Sequence, residues 1–535
     1  MEDLQTYPII CEGGLDSNRN HLFLSTSKPG SATTLINYEP GLFGGYRKIN
    51  GFAPLETDFS DVDDTGSEGK ILGVAIYNQG IIAARKTKAV TTYQLFYWTL
   101  DNDWTAYTTG LTLTATDVDK IRYATYNFNG TEGIIFVDGI NNATLHDSTN
   151  WINIGTTDTG ADFANAGGPM ALTAPKYVTI FKNHIFVSGD STSPHIVAHS
   201  APATIGEYDW TAASGAGQIN VGFVVKQIKP FRNELYVFGE TKIKKIVVDG
   251  TDFVLQDVVS DIGCLASDSV IEYNGDIFFL SQDGIRTIAA TDRVGDIAMA
   301  VQSKNIQQDI IDLIADYDMT QVSAVVIRNK SQMRFFFSDS ATSVADSVGI
   351  LAAIRSIQEG ERPPLEWGRT LGIRTSCVTS AYIGTEEYII HGDYNGKVYR
   401  QEMGTNFDGS AILTVYTTPY IDFGDVFIRK NLHKILVFLR PETAAVNLTA
   451  RIQYDWDDLD VYNPDSYLIE SNISGSLYGS GVYDSSVYAT EAEPVAFKNV
   501  EGSGFSARIT FSTSDDSGSH SIQAFVFEYH TDGRK

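Results

Sequence analysis

Ser269-Val270-Ile271-Glu272-Tyr273-Asn274-Gly275-Asp276-Ile277-Phe278-Phe279-Leu280-Ser281-Gln282-Asp283-Gly284-Ile285-Arg286-Thr287-Ile288 holds three short apolar runs separated by two turn signals. Asn274-Gly275 is the strongest two-residue hairpin signal, because both central positions of a type I′ turn need positive φ. Asp283-Gly284 repeats the signal a few residues on. The stretch therefore predicts strand, tight turn, strand, tight turn, strand. Such a unit has two faces to bury and nothing of its own to cover them, so it needs neighbours of the same kind.

The neighbours are present. Turn signals of the same sort fall at Asn78, Asn129, Asn183, Asn233, Asn274, Asn329 and Gly384, at separations of 41 to 55 residues. Self-similarity at this period, with about four strands per unit, is the signature of a β-propeller, whose closed ring leaves only short, protected sheet edges. The expected fold is all-β: a propeller of six to eight blades, seven the preferred count, with an additional β-sandwich-like platform. The blades carry no Trp-Asp signature, and a run of unrelated hairpins in sandwiches is the competing reading. Trp104, Trp151 and Trp210 recur between turns, as equivalent blade positions or as plain core.

Composition narrows the function. The chain is 43% hydrophobic and 20% charged, which suits a folded protein, and its 47 Gly, 27 Tyr and 28 Phe suit strands. Cys11, Cys264 and Cys377 lie far apart, with no metal-ligand spacing and no even count for a disulfide framework, so folding in a reducing cytoplasm is expected. Met1-Glu2-Asp3 is acidic and no apolar core follows it, so no secretory leader is expected. No segment approaches the ~20 apolar residues of a membrane span. Lys and Arg total 39 against 66 Asp and Glu, a net charge of −27. That balance opposes adhesion to nucleic acid or anionic membrane. It serves solubility, or a surface that must not stick to DNA passing close by.

Three parts are expected along the chain: an N-terminal platform segment over 1–65, the propeller over 66–410 and a C-terminal β-rich platform domain over 411–535. In the first, Leu22-Phe23-Leu24 reads as a strand, and Glu39 among apolar neighbours reads as an ion pair with Arg47 or as an exposed loop. Residues 56–69 are acidic and read as a solvated linker; Asp61-x-Asp63-x-Thr65-Gly66 imitates a calcium loop but puts Leu72 where the bidentate Glu belongs. Asn305 to Ala315 has Ile306, Ile310, Leu313 and Ile314 at helical spacing, with Ser303 or Asn305 as N-cap, and is expected on the outside of the ring. In the last part Ile412–Tyr416, Ile435–Leu439, Val446–Tyr454, Phe505–Phe511 and Ile522–Tyr529 alternate with the period of strands. Ser474 to Tyr488, rich in Ser, Gly and Tyr, reads as a long contact loop.

Asn37-Tyr38-Glu39-Pro40, Gly44-Gly45-Tyr46-Arg47-Lys48-Ile49 and Asn50-Gly51-Phe52 form a run that resembles the N-terminal region of tail proteins of short-tailed double-stranded DNA phages. Pro175 to Asp190, and Pro419-Tyr420-Ile421-Asp422-Phe423-Gly424 followed by Ile428-Arg429-Lys430, resemble the same proteins. The family includes tail nozzle, or tubular, proteins and packaged-DNA stabilisation (tail hub) proteins. The resemblance implies a structural virion protein of the tail, made in the host cytoplasm. It implies a homo-oligomeric ring, usually hexameric, below portal and adaptor proteins and near tail fibres. The ring would form part of the DNA channel, retain packaged DNA and allow its ejection. No sequence-specific DNA binding, membrane, cofactor or metal is implied.

A search for chemistry finds only imitations. His195 and His199 are four apart in an extended stretch, which sets their Cα atoms ~13 Å apart at ~3.3 Å per residue, too far for one metal. Gly392-Asp393-Tyr394-Asn395-Gly396-Lys397-Val398 is short for a phosphate loop and reads as a turn. Asp455, Asp457, Asp458 and Asp460 cluster, but adjacency in sequence does not place two carboxyls across a cleft. Ser281-x-Asp283-Gly284 lacks the ending of a sialidase Asp-box, and no Gly-x-Ser-x-Gly elbow occurs. Catalytic, cofactor-binding and metal sites are all expected to be none, and the protein is not expected to be an enzyme. Two other readings remain at this stage: a carbohydrate-binding or glycan-cleaving propeller acting as a receptor-binding tail protein, and a monomeric propeller scaffold that binds peptides.

Overall fold

The computed structural model describes residues 4–41, 44–55, 69–87, 91–107, 113–128, 130–146, 151–154, 172–202, 210–288, 301–355, 365–442, 446–471, 495–514 and 518–534. Each of the seven turn signals joins the first two strands of a separate antiparallel sheet. The closing pairs are Tyr77↔Gly80, Phe128↔Thr131, Phe181↔His184, Phe231↔Glu234, Tyr273↔Asp276, Ile327↔Gln332 and Ile383↔Glu386. Asn274 and Gly275 have φ of 49° and 72°, the positive values that the Asn-Gly pair supplies at low cost.

The first strand of each sheet lies inside the ring: Ile71–Tyr77, Arg122–Phe128, Tyr177–Phe181, Gln227–Phe231, Ile271–Tyr273, Ser323–Ile327 and Cys377–Ile383. Numbered in that order, six blades have four strands, and blade five has three, with a bridge from Arg286 to Val301 beyond its third. The result is a β-propeller. Seven buried apolar clusters fill the seven gaps between neighbouring blades. Between blades four and five, for example, the rings of Phe238 and Phe279 meet at 5.4 Å, both fully buried. Each such side chain contributes about 1.5–3 kcal/mol by leaving water, so the ring is held by its inter-blade cores.

Two blades tie the propeller to the rest of the chain. In blade seven the fourth strand is Phe52–Pro54, from near the N-terminus, which pairs with Val398–Gln401 and so closes the ring with an early piece of chain; on its far edge Phe52 pairs with Phe407, which extends that sheet beyond the blade. In blade six the outer strand Leu365–Leu371 continues into the platform, because Ile36 pairs in parallel with Arg369 and Thr34–Ile36 then pairs with Thr414–Thr417. This layer runs on through Ala507–Thr513, Val446–Tyr454 and Tyr467–Ser471. A second layer is built on Ile428–Pro441 and His520–Arg534, flanked by Gln5–Ile10, Tyr38–Pro40, Tyr46–Lys48 and Val495–Asn499. Leu448, Ile509 and Phe511 of one layer and Ile435, Val437 and Phe525 of the other bury together in the sandwich core.

The structure departs from the sequence reading in three places. Leu22-Phe23-Leu24 is not a strand but lies in helix α1, His21–Ser27, whose Asn20 side chain caps the Leu22 amide at 2.8 Å. An apolar triplet fits either state, and the cap decides it. Helix α2, Gln307–Asp316, follows a short 3₁₀ turn, Lys304–Ile306, and has Ile306 rather than Ser303 or Asn305 at its cap. Ser303 instead accepts the Ile285 amide at 3.0 Å, tying the helix to the outer strand of blade five. Trp104 and Trp151 lie in the fourth strands of blades one and two, whereas Trp210 lies ahead of the fourth strand of blade three. The calcium-loop imitation and the Ser474 to Tyr488 loop fall outside the described residues.

Candidate functional site

The inner strands enclose an axial cavity in two parts. The smaller, 460 Å³, is lined by residues of every blade but the fifth, together with Asp268 just before it. The larger, 980 Å³, continues from it along blades four to seven and reaches the Asn274-Gly275 turn. Lys229, Ala324 and Val378 line both, so the two parts meet at that level. The space exists because the inner strands present short side chains there, among them Ala124, Thr179, Ala324 and Val378.

Polar groups at the start of the inner strands reach across the axis. Arg122 of blade two forks onto Asp268, with Nε and Nη2 at 2.7 and 2.8 Å from its two oxygens. Such paired, charge-assisted bonds fix direction as well as distance. Lys120, 3% exposed, donates to the carbonyls of Gln321 and Val322 and to Ser323 Oγ, and stands 3.4 Å from Asp268. Tyr177 of blade three meets Ser267 at 2.8 Å, and Gln227 of blade four donates to the Ser267 carbonyl. Burial raises the Asp268 carboxyl, but the charges of Arg122 and Lys120 outweigh it and hold it at about 2. Burial lowers the ammonium of Lys120, against the pull of Asp268. Lys229 is lowered by burial too; Glu272 opposes that shift and Arg328 adds to it.

The N-terminal run forms the joint between propeller and platform. Asn37, at φ 54°, donates from Nδ2 to the carbonyls of Leu371 and Leu413 and accepts the Leu371 amide, so one side chain holds blade six to the platform. Glu39, 3% exposed, receives Arg47 at 3.0 Å and Lys330 at 2.7 Å, and lies 3.4 Å from Arg334, which is 1% exposed. Glu402 of blade seven takes the other sides of Lys330 and Arg334. Arg47 also forks onto Glu442 at 2.8 and 2.7 Å. The Glu39–Arg47 pair expected from sequence is thus present and is one edge of a buried network. Gly45, at φ 77°, passes so close to the platform that a Cβ would stand 2.3 Å from the Ile522 carbonyl oxygen. Tyr46 accepts the Gly14 amide and donates to the Gly30 carbonyl.

The residues singled out for chemistry do not converge. His199 ends a strand, packs tilted against Phe186 and edge-on to Phe253, and bonds the Ser200 carbonyl, while His195 lies just before that strand. Asp455 caps the Phe505 and Ser506 amides, Asp458 accepts the Asp460 amide, and Asp283 pairs with Arg286. Asp393 and Lys397 close the turn between two strands of blade seven, and Asp393 binds Arg374 at 2.8 Å. Among the described residues, no group of three or more His, Cys, Asp or Glu is placed to hold a metal ion, and no helix is long and apolar enough to cross a membrane. Sequence reading missed Arg122, Lys229 and Asp268. Their signal is positional: they stand on or beside inner strands, and only a known ring order brings them to one axis.

No protein-family model and no curated protein matches the sequence. Solved structures do. The chain is similar to the Pan2 WD40 domain of Neurospora crassa at 6% identity and a TM-score of 0.35, over 66% of this chain and 95% of that one. It is similar to BBS1N, solved in complex with ARL6DN, at 7% identity and a TM-score of 0.37, over 67% of this chain and 99% of that one. The strand order defines the class of protein: a β-propeller with a fused β-sandwich.

Proposed function

We propose that this protein is a structural component of a short-tailed phage tail, a nozzle or hub subunit that works as a ring around passing DNA and does no chemistry. Residues 37–41 and 44–52, within the run that carries the resemblance, form the buried joint between propeller and platform, and this is the observation on which the reading rests. A joint of this kind ties the two folds together by buried charge pairs and hydrogen bonds, which suits a subunit of a channel wall. The platform also offers a contact surface. Around α1, Phe23, Phe427 and Trp456 are 52%, 59% and 60% exposed, with Leu459 beside them in sequence on the Trp456 loop. Trp456 packs on His21 at 4.8 Å, and Ser25 of α1 bonds Asp422 near Phe427, so both loops adjoin the helix. Exposed apolar groups gathered this way mark protein contacts.

The net charge of −27 fits the same role. A wall that repels phosphates lets a genome slide, because adhesion needs clustered Lys and Arg. The test is immunogold labelling of virions with antibody raised to the purified chain. Label on the tail is the expected result. Label absent from particles, or glycan hydrolysis by the purified chain, would overturn the proposal.

A further inference from the structure

Lys229 stands on the inner strand of blade four at the level where the two axial cavities meet. Among the described residues its ammonium has neither a hydrogen-bond acceptor nor an ion-pair partner in contact; Glu272 and Arg328 act on it only at longer range. Arg122 lines the same cavity. Its Nε and Nη2 are committed to Asp268, while Nη1 is buried and has no acceptor. The protons of Lys120 are taken by two carbonyls and a hydroxyl, so it adds charge and no free donor. In the smaller cavity three cations, Lys120, Arg122 and Lys229, thus face a single carboxylate, Asp268. The rest of the wall is uncharged, with Val178, Val378, Thr179, the Gln227 amide and the Cys377 thiol.

A cavity of this size suits a small molecule. Lys229 is half-buried and points its charge at a cavity wall that offers it no acceptor among the described residues. In a chain with a net charge of −27, a local excess of cations at the axis is the opposite of the overall bias. What Lys229 lacks is a compact, acceptor-only partner carrying negative charge and several oxygens. We propose that the axial cavity binds a small oxyanion of the phosphate class, bonded by Lys229, with Arg122 and Lys120 balancing its charge. This site is independent of any role in a tail: it lies within one subunit and is of small-molecule size.

The experiment is calorimetric titration of the full-length chain at pH 7 with inorganic phosphate and, separately, with a nucleoside monophosphate. The two arms distinguish the free ion from a phosphomonoester. Saturable binding in either arm, weakened about tenfold or more by Lys229→Met and restored by Lys229→Arg, is the expected result. Glu272→Gln, which leaves Lys229 in place, is expected to tighten binding by removing a negative charge that acts on Lys229 at longer range. Lack of binding in both arms, binding unchanged in Lys229→Met, or affinity unmoved by Glu272→Gln would each overturn the proposal.

Discussion

Glu39 and Arg334 are 295 residues apart in sequence and meet at 3.4 Å, with 3% and 1% of their side chains exposed. One belongs to the N-terminal run and the other to the second strand of blade six. Their contact is where the platform grips the propeller, so the network around them can be tested as a joint.

Substituting Glu39→Gln leaves Arg334 and Lys330 in place and removes the carboxylate between them. Breaking a buried pair from one side costs about 3–5 kcal/mol, because the remaining charge stays desolvated. Urea unfolding is expected to show a loss of that order. Glu442→Gln, at the more exposed rim beside Arg47, is expected to cost about 1 kcal/mol or less.

Gly51 sits at the seam that closes the ring. Its amide donates to the Gly404 carbonyl at 3.0 Å, and a Cβ there would lie 1.8 Å from the Asn406 carbonyl oxygen. The obstacle is backbone, which cannot rotate away. Gly51→Ala is therefore expected to cost about 1–3 kcal/mol and to push Phe52–Pro54 off blade seven. Hydrogen exchange should show faster loss of protection at Ala53 and Arg400 than in blades two to four.

The Asp268 carboxyl is held at about 2 against an ordinary 3.8. A carboxyl lowered on folding adds stability above its unfolded value and loses it as pH falls toward its folded value. The stability that Asp268 brings is thus expected to be present at pH 5 and to fade between about pH 4 and pH 2. Urea midpoints of the wild type and of Asp268→Asn, measured across that range, should converge as the pH falls. A gap that stays constant would contradict the charge role of the Arg122 fork.

All three thiols are buried and unbonded to one another. Burial pushes Cys11 and Cys264 up to about 12 and raises Cys377 as well. The thiolate is the reactive form. A thiol reagent at pH 8 is expected to label none of them in the folded chain and all of them in denaturant, read by intact mass.

The ring was legible in the sequence because its signal is local. Asn274-Gly275, Asn78, Asn183 and Gly384 carry the positive φ of a hairpin in the residues themselves, whereas the bend at Asn329 is a 3₁₀ turn whose positive φ falls on Ser331; each marks the inner hairpin of one blade. The Glu39–Arg47 pair was legible for the same reason, since both residues lie in one short hairpin. Arg334, Lys330 and Glu402 were not, because no periodicity relates blade six or seven to residue 39. Helix α1 is not legible in Leu22-Phe23-Leu24, which satisfies a strand as well as a helix; the Asn20 cap decides between them. The axial residues were hidden by the fold itself: Arg122 and Asp268 become neighbours only after several blades have turned the chain about the axis.

The proposed tail role requires a ring of identical subunits, which the mass and shape of the assembled protein would reveal. Native mass measurement and class-averaged images of the purified full-length chain at micromolar concentration are predicted to show closed rings, six copies being the number implied by the resemblance. Substituting Phe427→Ser and Trp456→Ser is predicted to loosen those rings while leaving the thermal unfolding of the subunit near its wild-type value. A chain that stays monomeric at every concentration, and that is also monomeric in any particle that carries it, would contradict the account.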